Sequence, residues 1–269
     1  MFRRAIMPFL MRLSRRIYPR YGGSYHIFRI GKRTVLKSGR YVRLTEAITM
    51  RYIAAHTSIP VPKVLDAWAL SNGGASILME WVEGADTLEH CWPLMSDVQK
   101  KGVFLQLKRF VDELRALDRP SDKQGWIGSL DGAPLWDDRV KSQPCGPFPS
   151  ERSFNEFRLS LLDCFLWEEG ARKSIRDIKD RLRDDHRIVF THGDLGVRNI
   201  LVNSQGDVVA LIDWEMSGWM PEYWEYVKTV HGRWENTEWL SYASVINQPY
   251  EAEMEIDDQF IIVNGGAPF

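Results

Sequence analysis

The sequence predicts a two-lobed α+β protein: a small, strand-rich N-lobe with one key helix, then a larger, mainly helical C-lobe. Three observations carry this. Strand-like alternation fills the first 80-odd residues around one helical stretch, helical stripes dominate from Ser96 onward, and short strands return between Ile188 and Ile212. A chain of 269 residues that is 44% hydrophobic is large enough for one big domain or two lobes.

In the N-lobe, residues 25–37 alternate around a Gly-Lys-Arg turn and read as a β-hairpin. Arg43 to His56 reads as a helix with Leu44, Ala47, Ile48, Met50, Ile53 and Ala54 inward, stopped by Ile59-Pro60-Val61-Pro62. Val64–Leu70 and Ala75–Val82 read as strands around a Ser-Asn-Gly-Gly turn. In the C-lobe, Ser96 caps a helix running to about Leu117, with a stripe from Val103 to Leu117. Five prolines make residues 119–150 a long ordered loop or insertion, and helices are expected over Ser153–Leu166 and Ala171–Arg183. The strands Ile188–Phe190, Ile200–Val202 and Val208–Ile212 follow, the last two joined by the turn Asn203–Asp207. The expected organisation is a basic N-terminal segment (1–20), an N-lobe (21–82) and a C-lobe (83–269).

The formal net charge of −1 gives no reason to expect a nucleic-acid partner. Three scattered cysteines without CxxC spacing argue against a disulfide framework or zinc site and for a reducing, cytoplasmic setting. No apolar run reaches the ~18 residues of a membrane span. The first 20 residues carry six arginines and no acid, and the first acid of the chain is Glu46. Such a segment could be a mitochondrial targeting sequence or a membrane-surface helix; the plainer expectation is a solvated basic leader.

FTHGDLGVRNILV, Phe190 to Val202, sets Asp194 and Asn199 five apart in a polar loop between two apolar runs. Asp213 lies at the far end of the following hairpin, which folds it back beside that loop. Phosphoryl transfer asks a protein to position an acceptor hydroxyl and to neutralise spreading phosphate charge. One carboxylate for the hydroxyl, a carboxylate and an amide as hard oxygen ligands for Mg²⁺, and a cation for the phosphates meet that need. Lys37, ending a strand, and Glu46, opening the next helix, could supply the cation and its partner. Met79-Glu80-Trp81-Val82 falls where two lobes would hinge. Taken singly these are ordinary features: Lys37 a strand end, Glu46 an acid favoured by its helix dipole, Ser24 a turn residue.

His192-Gly193-Asp194-Leu195…Asn199 and Leu211-Ile212-Asp213-Trp214-Glu215 resemble the motifs of the aminoglycoside phosphotransferase and choline kinase-like family, and the run Asp213 to Glu225 is similar to its fungal branch. The resemblance spans about Gly22 to Tyr226. It implies a bilobal, protein-kinase-like fold and an ATP- and Mg²⁺-dependent transfer of phosphate to a small-molecule hydroxyl. It further implies Asp194 as the residue that orients the hydroxyl, Asn199 and Asp213 on Mg²⁺, Lys37 on the α/β-phosphates with Glu46 behind it, and the backbone of Glu80, Trp81 and Val82 on adenine. His192 is expected to brace the loop. Tyr21-Gly22-Gly23-Ser24 departs from a full glycine-rich phosphate loop, with Ser24 the candidate phosphate contact; an inactive nucleotide-binding relative is the alternative this departure suggests. A protein kinase fits less well, because Asp213-Trp214-Glu215 lacks the glycine of Asp-Phe-Gly and no Ala-Pro-Glu follows.

Glu215, Trp219, Trp224 and Glu225 offer aromatic faces beside carboxylates, a combination that suits a cationic or amino-bearing acceptor. The acids Glu251, Glu253, Glu255, Asp257 and Asp258 could extend that field. The competing expectation is that the aromatics pack the helical lobe and the acids face solvent.

Overall fold

The computed structural model describes residues 2–18, 26–119, 125–166, 169–231 and 237–265. Helix α1 (Phe2–Ile17) leads into β1 (Ile27–Arg29), β2 (Thr34–Gly39), α2 (Leu44–His56), β3 (Val64–Ala69) and β4 (Ala75–Glu80). The strands form one antiparallel sheet in the order β1-β2-β4-β3, with Lys37 opposite Ile77 and Thr34 opposite Glu80. This is the expected N-lobe, with α2 lying against the sheet through Ala47, Met50 and Ile53.

The short β5 (Asp86–Thr87) and α3 (Leu88–Cys91) pass the chain to α4 (Asp97–Arg115), then to the hairpin β6 (Leu135–Asp137) and β7 (Lys141–Cys145). Helices α5 (Glu151–Ser160) and α6 (Glu169–Arg181) follow, then β8 (Ile188–Thr191), β9 (Ile200–Val202), β10 (Val208–Leu211) and β11 (Gly218–Pro221), and finally α7 (Trp224–Val230), α8 (Thr237–Ile246) and α9 (Glu251–Val263). Ser96 caps α4 in a reciprocal capping box with Gln99, as its position before the apolar stripe foretells. Strand β9 pairs with both β10 and β5, and β8 pairs with β11.

Three expectations need correction. The N-terminal segment is not a solvated leader: Met7, Leu10 and Met11 sit at helical spacing and pack on Phe28, Leu36 and Leu78 of the sheet. Residues 119–150 contain the β6–β7 hairpin, whose strand Lys141–Cys145 is polar and mostly exposed and so lacks an alternating signature. Helix α5 starts two residues early because Ser150, not Ser153, accepts the capping bond.

The main core runs through both lobes, from Ile77 and Met50 to Phe104, Phe190, Ile200 and Trp214. A second core holds Phe148, Phe154 and Trp224 beneath the hairpin. That continuity brings β2, β4 and the residues just after β10 to one cleft.

Candidate active site between the lobes

The cleft has an empty volume of about 710 Å³. Its walls are apolar (Ile27, Val35, Met50, Met79, Leu201, Ile212), Glu80, Trp81 and Val82 line one side, and Lys37, Glu46, Glu80 and Asp213 are the charges. Arg29 stacks on the Trp81 ring with its guanidinium 4.5 Å from the centroid.

Lys37 and Glu46 come together because β2 is a central strand and α2 begins just beyond it. The Lys37 ammonium donates to Glu46 Oε1 at 3.0 Å, to Asp213 Oδ1 at 2.6 Å and to Glu215 Oε2 at 3.4 Å. Its burial opposes the charge, but Glu46, Asp213 and Glu215 outweigh that and raise its pKa, so the ammonium stays charged. Burial raises the pKa of Glu46 and of Glu215, with Lys37 pulling both the other way.

The loop after β8 is built around His192. The ring is fully buried; its Nδ1 accepts from the Asp194 N–H at 3.2 Å, and Nε2 lies 3.1 Å from the Ile212 carbonyl. With Nδ1 an acceptor, Nε2 carries the proton and donates, and burial, which lowers the pKa, keeps the imidazole neutral. His192 therefore ties the Asp194 loop to the strand end that presents Asp213. Gly193 has φ +78, and a Cβ there would stand 2.4 Å from the Met216 carbonyl, so no other residue fits.

Asn199 donates its amide to the Asp194 carbonyl at 2.9 Å and to Asp194 Oδ2 at 2.8 Å. Its carbonyl accepts from the Ile212 N–H at 2.9 Å, which fixes Asp213 next to it. Asp213 adopts φ 66, ψ 60, a left-handed conformation that costs a non-glycine residue about 1–3 kcal/mol and gathers at functional sites. Burial raises the Asp194 pKa, Lys228 works against it and Asp213 adds to it.

The structure thus brings Lys37, Glu46, Asp213 and the segment Glu80–Val82 to the lining of one cleft, with Asn199 and Asp194 behind Asp213: the Asn199 backbone carbonyl accepts from the Ile212 N–H, and its amide holds Asp194. Ser24 lies outside the described residues. The carboxylate of Asp213 and the amide oxygen of Asn199 are the hard donors Mg²⁺ prefers, and with the Asn199 amide nitrogen spent on Asp194 its oxygen is the atom that would ligate; this donor set fits the ion.

The four residues read as acceptor contacts divide. Glu215 borders the cleft through Lys37. Trp219, Trp224 and Glu225 are corrected: all three are buried in the protein interior, out of reach of a substrate. Trp219 packs edge-on against Phe190, and Trp224 donates its indole N–H to Asp137 Oδ2 at 2.8 Å. Glu225 accepts the backbone N–H of His192 at 2.6 Å and of Gly193 at 3.3 Å, so it holds up the Asp194 loop from beneath. Of the α9 acids, Glu251 and Glu255 face solvent, while Glu253, Asp257 and Asp258 have basic partners within the chain. Asp257 pairs with Arg139 and Arg158, Glu253 with His186, and Glu255 with Arg181. Sequence reading also missed Lys228, which joins Asp137 at 2.9 Å and Asp138 at 3.0 Å beneath the Asp194 loop; partners some 90 residues apart leave no local signal.

Fold and site together define a kinase-like phosphotransferase, a two-lobed protein with a Lys–Glu pair on one wall and an Asp…Asn, Asp set on the other. Residues 29–258 match the model of the phosphotransferase enzyme family, and the chain belongs to that family. Among solved structures it is similar to a thermostable mutant of aminoglycoside phosphotransferase APH(4)-Ia in its apo form, at TM-score 0.58 and 20% identity over 88% of this chain and 80% of that one. It is also similar to the GDP complex of wild-type aminoglycoside 2'-phosphotransferase-IIIa, at TM-score 0.60 and 16% identity over 90% and 80%. At these identities the likeness is one of fold. A search of curated protein sequences gives no match. Among the described residues no helix is long and apolar enough to cross a membrane.

Proposed function

We propose that this protein is an ATP- and Mg²⁺-dependent phosphotransferase that moves the γ-phosphate to a hydroxyl of a small molecule. The observation that supports the reading is the meeting of Asp213 with the Lys37–Glu46 pair at one apolar-walled cleft, with the hydrogen-bonded Asp194 and Asn199 adjoining Asp213. Adenine would lie between the apolar walls against Glu80–Val82, and Lys37 would meet the α/β-phosphates while Glu46 keeps it extended. Asn199 and Asp213 would hold Mg²⁺, which when bound neutralises charge on the β- and γ-phosphates.

Asp194 orients the acceptor. Its Oδ2 is engaged by Asn199, so Oδ1 remains to receive the hydroxyl proton. Burial makes this carboxylate a stronger base than a free aspartate. With Trp219, Trp224 and Glu225 in the core, the case for a cationic acceptor rests on Glu215.

A panel of amino sugars, amino alcohols, neutral polyols and serine peptides, read by Mg²⁺-dependent ADP release, tests the reading. Stimulation by one of the small hydroxyl compounds is expected; stimulation by peptides alone, or ATP binding without any turnover, would overturn it. Asp213→Ala should weaken nucleotide binding only when Mg²⁺ is present, and calorimetry showing equal affinity would remove Asp213 from the metal.

A further inference from the structure

Helix α1 has one broad apolar face, and the fold covers only part of it. Met7, Leu10 and Met11 cover the N-lobe sheet. Ile6, Phe9, Leu13 and Ile17 recur at i+3 and i+4 on the adjoining row, with 41%, 62%, 38% and 56% of their surface exposed. At 3.6 residues per turn, Arg12 and Arg16 fall along the edge of this outer stripe beside Phe9, and both are exposed.

Charge around this helix is predominantly positive, although β3 and β4 carry Asp66 and Glu80 and Arg33 pairs with Glu83 at 3.9 Å. From Met1 to Leu65 the sequence holds Glu46 as its single acid, and Glu46 is buried against Lys37. Arg12, Arg15, Arg16, Lys32, Arg33 and Arg40 are exposed. The chain as a whole is almost neutral, at −1, so the N-lobe is a cationic end on a balanced protein. The helix is also built into the fold at its far end: Tyr18, just past it, stacks on Arg29, which also stacks on Trp81 on the wall of the cleft.

We propose that the outer face of α1 is a docking surface for an anionic lipid bilayer, with Ile6, Phe9, Leu13 and Ile17 entering the headgroup boundary and the arginines meeting the acidic headgroups. An exposed apolar row flanked by cations is what a helix lying in the membrane plane requires. A nucleic acid would use the arginines but leave the apolar row in water, and a second copy of the chain would set two cationic ends against each other. The surface is separate from the phosphotransferase cleft and stands whether or not the proposed reaction does.

Co-sedimentation of the full chain with vesicles of phosphatidylcholine alone, and with about one-third phosphatidylserine, provides the test. Binding to the acidic vesicles that weakens as salt rises is expected, with little to the neutral ones. Each arginine near such a surface is worth about a fivefold change in affinity, so Arg12→Glu/Arg16→Glu should reduce binding by roughly 25-fold or more. Phe9→Glu removes a large exposed ring and should reduce it by about tenfold. Both variants should keep the wild-type melting temperature and nucleotide affinity, since neither touches the docked face. Absence of binding to acidic vesicles overturns the proposal. So does loss in the arginine variant with full binding in Phe9→Glu, which marks a general polyanion patch. A dimer by light scattering that Phe9→Glu converts to monomer likewise assigns the row to a second copy.

Discussion

The Asp194–Asp213 loop and the C-terminal stretch from Trp219 to Asp258 look alike as sequence, each mixing acids with aromatic or polar residues, and they do opposite work. In the first, Asp213 keeps 37% of its side chain exposed at a cleft and contacts a lysine from the other lobe. In the second, Asp257 is 1% exposed and held between two arginines, and Glu225 spends its oxygens on backbone N–H groups. What separates the two is exposure: Asp213 stays open to the cleft, while Asp257 and Glu225 are sealed against internal donors.

Breaking the scaffold should therefore cost stability and leave chemistry alone. Asp257→Ala strands Arg139 and Arg158 without their carboxylate, and loss of one partner from a buried pair costs about 3–5 kcal/mol; denaturant unfolding should show a loss of that size. Trp224→Phe leaves Asp137 Oδ2 without its indole donor, so unfolding free energy should fall by about 1–3 kcal/mol. Turnover per folded molecule should stay unchanged in the Trp224 variant; a raised KM for the acceptor would return Trp224 to the substrate site.

A smaller effect sharpens the same contrast. His186 sits between Glu151 at 2.8 Å and Glu253 at 3.1 Å. Burial opposes the charged ring, but the bonds and charge of Glu151, then Glu253, outweigh it and raise the pKa above its ordinary 6.5. A raised folded-state pKa stabilises fully below the unfolded value and fades as pH rises through the folded one. The unfolding free-energy gap between wild type and His186→Gln should be widest near about pH 5.5 and shrink toward about pH 9. A gap that grows with pH would show that His186 is held neutral.

Local chemistry made much of this legible. The Ser96 capping box, the Asn203–Asp207 turn and the alternation of the N-lobe strands each act within a few residues, and the Asp194…Asn199 spacing with a hairpin return to Asp213 needs no distant contact. The roles of Glu225 and Asp137 were hidden because they depend on partners far along the chain: Glu225 lies 33 residues from His192, and Asp137 lies 87 from Trp224. An acid among aromatics has the same local pattern whether it faces a ligand or a buried amide. Helix α1 was half legible, since its arginines were plain but the stripe that docks it was not separated from the stripe that stays exposed.

The proposed reaction depends on Asp194 handling the acceptor hydroxyl. The most direct test pairs ATP affinity with Mg²⁺-dependent phosphate transfer in wild type and Asp194→Asn. Near-equal ATP affinity with transfer slowed by about 10²–10⁴ is the expected result, the usual worth of a positioned acid–base group. Transfer at the wild-type rate in Asp194→Asn would contradict it.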